Sequence, residues 1–155
     1  MSINTLRKYL DDHQVEYVVM THSKAYTAQR IAARAHVPGN EMAKSVMIKV
    51  DGELKITVLR APDKVSLAKV NKLFKAGKVE LAHESEFEEK FPDCEVGAMP
   101  PFGNLYDLDV LVDEKLSKDE SIVFNACSHL ELIRMSYKDY EKLAKPKVAD
   151  IAVGG

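Results

Sequence analysis

The sequence predicts a mixed α/β domain of the α+β type, a twisted mixed β-sheet flanked by helices, and three observations carry that prediction. Two strand-like stretches, Lys44 to Val50 and Leu54 to Leu59, either side of Asp51-Gly52 read as a tight hairpin. Apolar residues recur at helical spacing near both ends of the chain. Helices alternate with strands between these landmarks, but hairpins interrupt any regular βαβ repeat, so a mixed sheet fits better than a parallel one. At 155 residues, with 46% hydrophobic and 30% charged, the chain is expected to form one domain over 1–155 with a sizeable core.

Ile3, Leu6 and Tyr9-Leu10 predict an amphipathic helix over 2–12, and Val15 to Met20 is rich in strand-forming residues. Thr27 is placed to cap a helix over 28–36 that Val37-Pro38-Gly39 stops. Lys44 to Val50 and Leu54 to Leu59 are the hairpin strands, with Asp51-Gly52 supplying the positive φ angles of a type I′ turn. After Pro62, the residues Val65, Leu67, Val70, Leu73 and Phe74 predict a helix ending at Gly77. Lys64, Lys69, Lys72, Lys75 and Lys78 make this region basic, as a solvated helix face or an anion-binding one.

Val79 to Ala82 reads as a short strand, and Ser85 with Glu88 as a capping box opening an acidic helix that Pro92 ends. Further strands are expected over 109–113, 121–126 and 130–135, with a polar turn over 113–120. Ser136 and Asp139 then start a C-terminal helix running to about Lys145.

Between the acidic helix and the strand at 109 lies Gly97-Ala98-Met99-Pro100-Pro101-Phe102-Gly103-Asn104. The prolines fix their own φ and push the residues before them toward extended conformations, so the pair belongs neither to a helix nor to a sheet interior. The segment is apolar, which predicts a stiff, partly buried loop: a tight crossover, or one that presents backbone N–H and C=O groups to a ligand. Lys44 shares the parity of Val46 and Ile48 and so points inward with them, either to snorkel to solvent or to meet an anion in a cleft. Asn125-Ala126-Cys127-Ser128-His129 sets several polar groups between two strands, lining a pocket or completing a turn.

Several function classes are disfavoured. A formal charge of −2 argues against gripping nucleic acid by bulk electrostatics. No apolar run approaches the ~20 residues of a membrane span, and the N-terminus lacks a signal-peptide core, so the cytoplasm is the default location. The two cysteines, Cys94 and Cys127, lie outside any metal-ligand spacing and are expected to be buried thiols. His13, His22, His36, His83 and His129 form no HExxH-type pair, so neither a metal nor another cofactor is expected.

Four stretches together resemble the YbaK-like family of aminoacyl-tRNA deacylases, related to the editing domain inserted in bacterial prolyl-tRNA synthetases. They are Ala43-Lys44-Ser45 leading into the strand to Val50, the GxxxP loop Gly97 to Pro101, Phe124 to His129, and Ile133-Arg134-Met135-Ser136. The resemblance spans nearly the whole chain and implies that family's fold. It also implies hydrolysis of a mischarged small amino acid, of cysteinyl, alanyl or seryl type, from tRNA, with tRNA(Pro) the common theme. On this reading Lys44 holds the phosphate of the terminal adenosine. Gly97 and Ala98 orient the ester and water through backbone groups, and Pro101 keeps the loop rigid. His22, Tyr26, Ser45, Asn125, Ser128 and His129 are implied substrate contacts. Aminoacyl-tRNA is the implied partner, with a cognate synthetase as a possible second, and neither DNA nor a membrane. The alternative is a non-catalytic module of the same fold that binds aminoacyl-tRNA or the synthetase. Relatives commonly carry glycine where this chain has Cys127; a side chain there narrows the pocket if it points inward and leaves specificity untouched if it faces away.

Overall fold

A computed structural model describes residues 3–21, 42–92, 94–95 and 97–154. The expected helix over 28–36 with its Thr27 cap, and the candidates His22 and Tyr26, lie outside the described residues.

Helix α1 (Ile3–Asp12) buries Leu6 and Leu10. It leads to strand β1 (Tyr17–Thr21). The hairpin follows as β2 (Ala43–Val50) and β3 (Glu53–Arg60), closing on the Val50–Glu53 pair. Asp51 and Gly52 both take positive φ, 49° and 87°, as a type I′ turn requires. Then come β4 (Lys64–Val65), α2 (Leu67–Phe74), β5 (Val79–Leu81) and α3 (Glu84–Phe87). Beyond the proline loop lie β6 (Asp109–Asp113), β7 (Ser121–Asn125), β8 (Glu131–Ser136) and α4 (Tyr137–Ala144). Two short strands, β9 (Lys147–Ala149) and β10 (Ala152–Val153), end the described chain.

The strands form more than the single sheet expected. A five-stranded mixed sheet has the order β5-β2-β3-β6-β9, with β3, β6 and β9 parallel to one another. An antiparallel three-stranded sheet has the order β1-β8-β7, and β10 pairs with β4. A bridge between Met42 and Val123 joins the head of β2 to β7, so the two larger sheets meet there. Between them lies the main core, which includes Leu6, Met47, Ile56, Met99, Phe102, Phe124, Ile133 and Tyr140. A second cluster of Ile48, Val50, Val70, Leu111 and Ile151 covers the other face of the large sheet beneath α2.

Several element ends differ from the sequence expectation. Helix α2 starts later, because Ser66 caps it by accepting from the Lys69 N–H at 3.2 Å and Val65 pairs with β10. It also stops earlier, with Lys75 rather than Gly77 in the left-handed position. Helix α3 opens after His83, not Ser85. The Glu86 carboxylate accepts the His83 N–H and also binds the Lys49 ammonium of β2, so a tertiary ion pair sets the cap. Ser136 caps α4 as expected, accepting from the Asp139 N–H. The strands β9 and β10 carry no sequence signal. β9 is held by parallel pairing with β6, and the start of β10 by Asp113, a fully buried carboxylate whose Oδ1 accepts the N–H groups of Ile151 and Ala152, both at 3.1 Å.

The loop is pinned at its distal end. Phe102 is fully buried and makes edge-to-face contacts with Tyr9, Phe124 and Tyr140. The Tyr140 hydroxyl donates to the Pro101 carbonyl at 2.7 Å, inside the core. Burial pushes that phenol well above its ordinary pKa, so it remains a donor. Tyr140→Phe keeps the ring but strands the Pro101 carbonyl, and should cost about 1–3 kcal/mol of stability, read as a fall in the denaturation midpoint. An unchanged midpoint would show that the carbonyl needs no partner.

Candidate active site

The head of β2, the loop and the segment after β7 converge through backbone hydrogen bonds. The Cys127 N–H donates to the Ala98 carbonyl at 2.9 Å, and the Glu95 N–H donates to the Cys127 carbonyl at 2.9 Å. The Ala98 N–H closes a turn onto the Glu95 carbonyl at 3.0 Å. The His129 N–H points to the Glu95 carboxylate at 3.4 Å. Residues 94–98 and 126–129 are thereby stitched side by side.

Within the loop, Ala98 to Gly103 is buried without a break, while Gly97 and Asn104 at its two ends are exposed. Gly97 has φ +85°, a region that side chains rarely adopt. Its N–H and C=O take no hydrogen bond from any described residue, whereas both backbone groups of Ala98 are engaged. The geometry therefore separates two residues to which the resemblance gives one role. Gly97 presents its backbone, and Ala98 fixes where Gly97 sits. Gly97 also faces the His129 ring, since a Cβ on it would stand 3.4 Å from His129 Cε1.

A pocket of about 230 Å³ opens beside Gly97, lined among others by Ser45, Met47, Leu81, Phe87 and Met99. It is smaller than a typical ligand cleft of roughly 300–1,000 Å³ and mostly apolar. Two larger depressions, of about 570 and 810 Å³, lie at Lys55, Phe74 and Lys147 and at Arg7, Tyr17 and Arg134; neither contains a sequence-predicted site residue.

Lys44 is half-buried at the head of β2, opposite Leu59. Among the described residues its ammonium makes no hydrogen bond or ion pair. Burial lowers its pKa; the field of Asp63 opposes that shift and the charge of Lys64 adds to it. Partners in a parallel bridge share a face, so Met42 and Val123 project together and so, two residues on, do Lys44 and Asn125. The Asn125 Oδ1 is buried and has no hydrogen-bond partner among the described residues. Ser45 alternates to the other face, toward Met47 and the pocket. The two faces thus carry different candidates: Lys44 with Asn125, and Ser45 with Gly97. No described bond joins Lys44 to Gly97.

Ser128 is occupied locally, its Oγ accepting the Leu130 N–H at 3.0 Å. Of the basic residues around α2, Lys69 is paired with Asp150 and Lys78 with Glu80, both at 2.9 Å. The cysteines correct the expectation of two separate buried thiols: Cys94 and Cys127 are joined in a disulfide. Cys127 turns toward Cys94 and is not among the residues lining the pocket beside Gly97. Its φ of +68° is why glycine suits this position. Tyr140 and Glu95, which position the loop, were not singled out from the sequence, and only the folded chain reveals what they touch.

A family model described as the aminoacyl-tRNA editing domain matches residues 22–143. The chain is 29% identical over 100 residues to a proline–tRNA ligase of Bacillus mycoides (strain KBAB4), covering 64% of this chain and 17% of the ligase. It is 28% identical over 117 residues to proline–tRNA ligase 1 of Bacillus thuringiensis subsp. konkukian (strain 97-27), covering 76% of this chain and 19% of that protein. It thus spans less than a fifth of the length of these relatives. Among solved structures, a candidate trans-editing enzyme for prolyl tRNA synthetase superposes with a TM-score of 0.84 at 19% identity, covering 98% of this chain and 97% of that one. A hypothetical protein gives 0.84 at 18% identity, covering 96% and 99%. At these identities the likeness shows the fold. No helix among the described residues is long and apolar enough to cross a membrane.

Gly97→Ala tests the loop conformation. The new methyl meets the His129 ring at ordinary contact distance, so its cost is conformational, about 1–2 kcal/mol of stability for a non-glycine residue in the left-handed region. Equilibrium denaturation measures it; no loss would mean that the loop relaxes to negative φ.

Proposed function

The chain belongs to the aminoacyl-tRNA editing domain family, and on that premise we propose that it hydrolyses, in trans, the ester between a mischarged small amino acid and the 3′-terminal ribose of tRNA. The observation that carries this reading is Gly97: an exposed backbone amide with no partner among the described residues, held at positive φ at the mouth of a small apolar pocket.

The aminoacyl side chain enters the pocket beside Ser45, Met47 and Met99, and its ester carbonyl lies against Gly97. The Gly97 N–H then donates to the oxyanion that develops as water attacks, a preorganised donor that needs no movement during reaction. The ester is already activated, so no side-chain nucleophile is required, and the terminal 2′-hydroxyl serves to position the water. Ala98 and Pro101 act one step back: Ala98 through its bonds to Glu95 and Cys127, Pro101 through Tyr140. Such anchoring matters because a displacement of about 1 Å from productive geometry can lower a rate about 10²-fold.

Lys44, half-buried and without an ion-pair partner among the described residues, suits the terminal phosphate, and an anion there reverses the cost of burying its charge. Asn125, with its orphaned oxygen on the same face, suits a ribose hydroxyl. The pocket's size supports cysteinyl, alanyl or seryl esters, and the ligase relatives support tRNA(Pro). Steric exclusion handles larger residues, whereas one methylene is worth only about 1–3 kcal/mol.

Alanyl-, cysteinyl- and seryl-tRNA(Pro), with matched free esters, form the test panel. At least one tRNA ester should be hydrolysed far faster than its free counterpart. Lys44→Ala should lower kcat/KM by about 1.5–3 kcal/mol, or roughly ten- to hundred-fold, with the melting temperature retained. Lys44→Arg, which keeps the charge, should recover part of that loss. Because burial lowers the Lys44 pKa, the parent's kcat/KM corrected for spontaneous hydrolysis should fall as pH rises through that lowered value, a limb absent in Lys44→Arg. Binding without turnover would instead mark a recognition module, and parent-level rates in Lys44→Ala would remove lysine from the mechanism.

A further inference from the structure

The loop that carries Gly97 is tied to the 126–129 segment by one bond that chemistry can break. Cys94 and Cys127 are 33 residues apart in sequence and linked across the stitched turn. Cys127 is the hub of that turn. Its carbonyl takes the Glu95 N–H, its N–H reaches the Ala98 carbonyl, and its sulfur reaches Cys94. All three ties fall within the five residues 94–98, and Gly97 sits inside them.

Cys127 occupies φ +68°, a conformation that costs a residue with a Cβ about 1–2 kcal/mol. None of its backbone bonds needs a side chain, and glycine would make them without that cost. What the side chain adds is the sulfur bridge. A main core running from Leu6 to Ala144 is large enough to hold a chain of this size without a staple. Where thiols are kept reduced, disulfides of this kind are usually transient and serve redox sensing.

We propose that Cys94–Cys127 is a redox-modification site, with low-molecular-weight thiols and their disulfides as co-reactants, whose oxidised form holds the Gly97 loop in its working geometry. The two sulfurs are unequally placed. Cys127 is 4% exposed, whereas Cys94 is only partly buried, with the Tyr106 hydroxyl 3.7 Å from its sulfur. Cys94 is therefore the sulfur attacked. A thiolate forms a new S–S bond to Cys94, the bond to Cys127 breaks, and Cys127 leaves as a thiolate that takes up the proton the attacking thiol has shed. A second thiol attacks the mixed disulfide, releasing the small-molecule disulfide and the Cys94 thiol. The protein gains two electrons and two protons, and two thiols lose them; oxidation runs the same steps backwards.

In the reduced form Cys127 retains an unfavourable backbone conformation with nothing tethering its side chain. The bonds from Glu95 to Cys127 and from Cys127 to Ala98 then open more often, and the Gly97 amide loses its fixed direction. The effect on rate rests on the hydrolase reading above; the pairing and the order of the loop do not.

The test equilibrates the full chain across ratios of reduced to oxidised glutathione. Alkylation by N-ethylmaleimide counts thiols by mass, hydrogen exchange follows the amides of Ala98 and Cys127, and alanyl-tRNA(Pro) hydrolysis gives the rate. Thiols should go from none to two within the series. The two amides should exchange about ten-fold faster or more when reduced, and the rate should fall about ten-fold. Cys94→Ala should show the fast exchange and low rate at every ratio, and Cys127→Gly should be equally blind to glutathione. Two alkylatable thiols at every ratio, equal exchange in both forms, or equal rates despite unequal exchange would each overturn the proposal. If neither form hydrolyses any ester, the hydrolase reading fails while the exchange data still decide whether the pair orders the loop.

Discussion

A hydrogen bond buried in the core, from the Tyr140 hydroxyl to the Pro101 carbonyl, fixes the point from which the candidate site is built. A proline pair cannot lend an N–H to any ladder, so this loop has fewer ways than most to tie itself down. The chain answers with a carbonyl bond on one side and, one residue later, with Phe102 wedged among Tyr9, Phe124 and Tyr140. These contacts draw α1, β7 and α4 onto the same few residues. Gly103 completes the anchor. A Cβ there would fall 2.3 Å from the Leu108 carbonyl oxygen, so only glycine lets the chain turn so tightly into β6.

From that fixed end the loop runs outward to Gly97, and its order there has a different source. Hydrogen bonds among Glu95, Ala98 and Cys127 knit it to the segment leaving β7. β7 in turn meets the head of β2 through the Met42–Val123 bridge. Three parts of the chain far apart in sequence thus arrive at one place by backbone pairing, which is directional and tolerates little displacement. The candidate side chains, Lys44, Ser45, Asn125 and His129, are carried by the same strands and turns. The proposed chemistry relies on a positioned amide and a positioned cation instead of a reactive side chain.

Periodicity read the regular elements well because each encodes its own signal locally. The Asp51-Gly52 turn, the amphipathic α1 and the Ser136 cap depend on neighbours within a few residues. Where a distant partner intervened, local reading slipped. Glu86 is shared between the His83 N–H and Lys49, which moves the start of α3. Val65 is taken by β10 and so leaves α2. The short strand β9 depends on pairing with β6 and β10 on Asp113, a buried carboxylate, and no pattern in their own residues announces either.

Composition, spacing and the resemblance they support determined the class of fold and the family, and singled out the stretches proposed as the site, because these follow from residue identities along the chain. Only the tertiary structure decided how those stretches divide the work. It occupied both backbone groups of Ala98 and left those of Gly97 without a partner among the described residues, put Lys44 and Ser45 on opposite faces of β2, and set Cys127 against Cys94. Each of these outcomes is a competition between partners distant in sequence for one donor, one face or one sulfur. Such competition is settled only when the strands have closed around a common core.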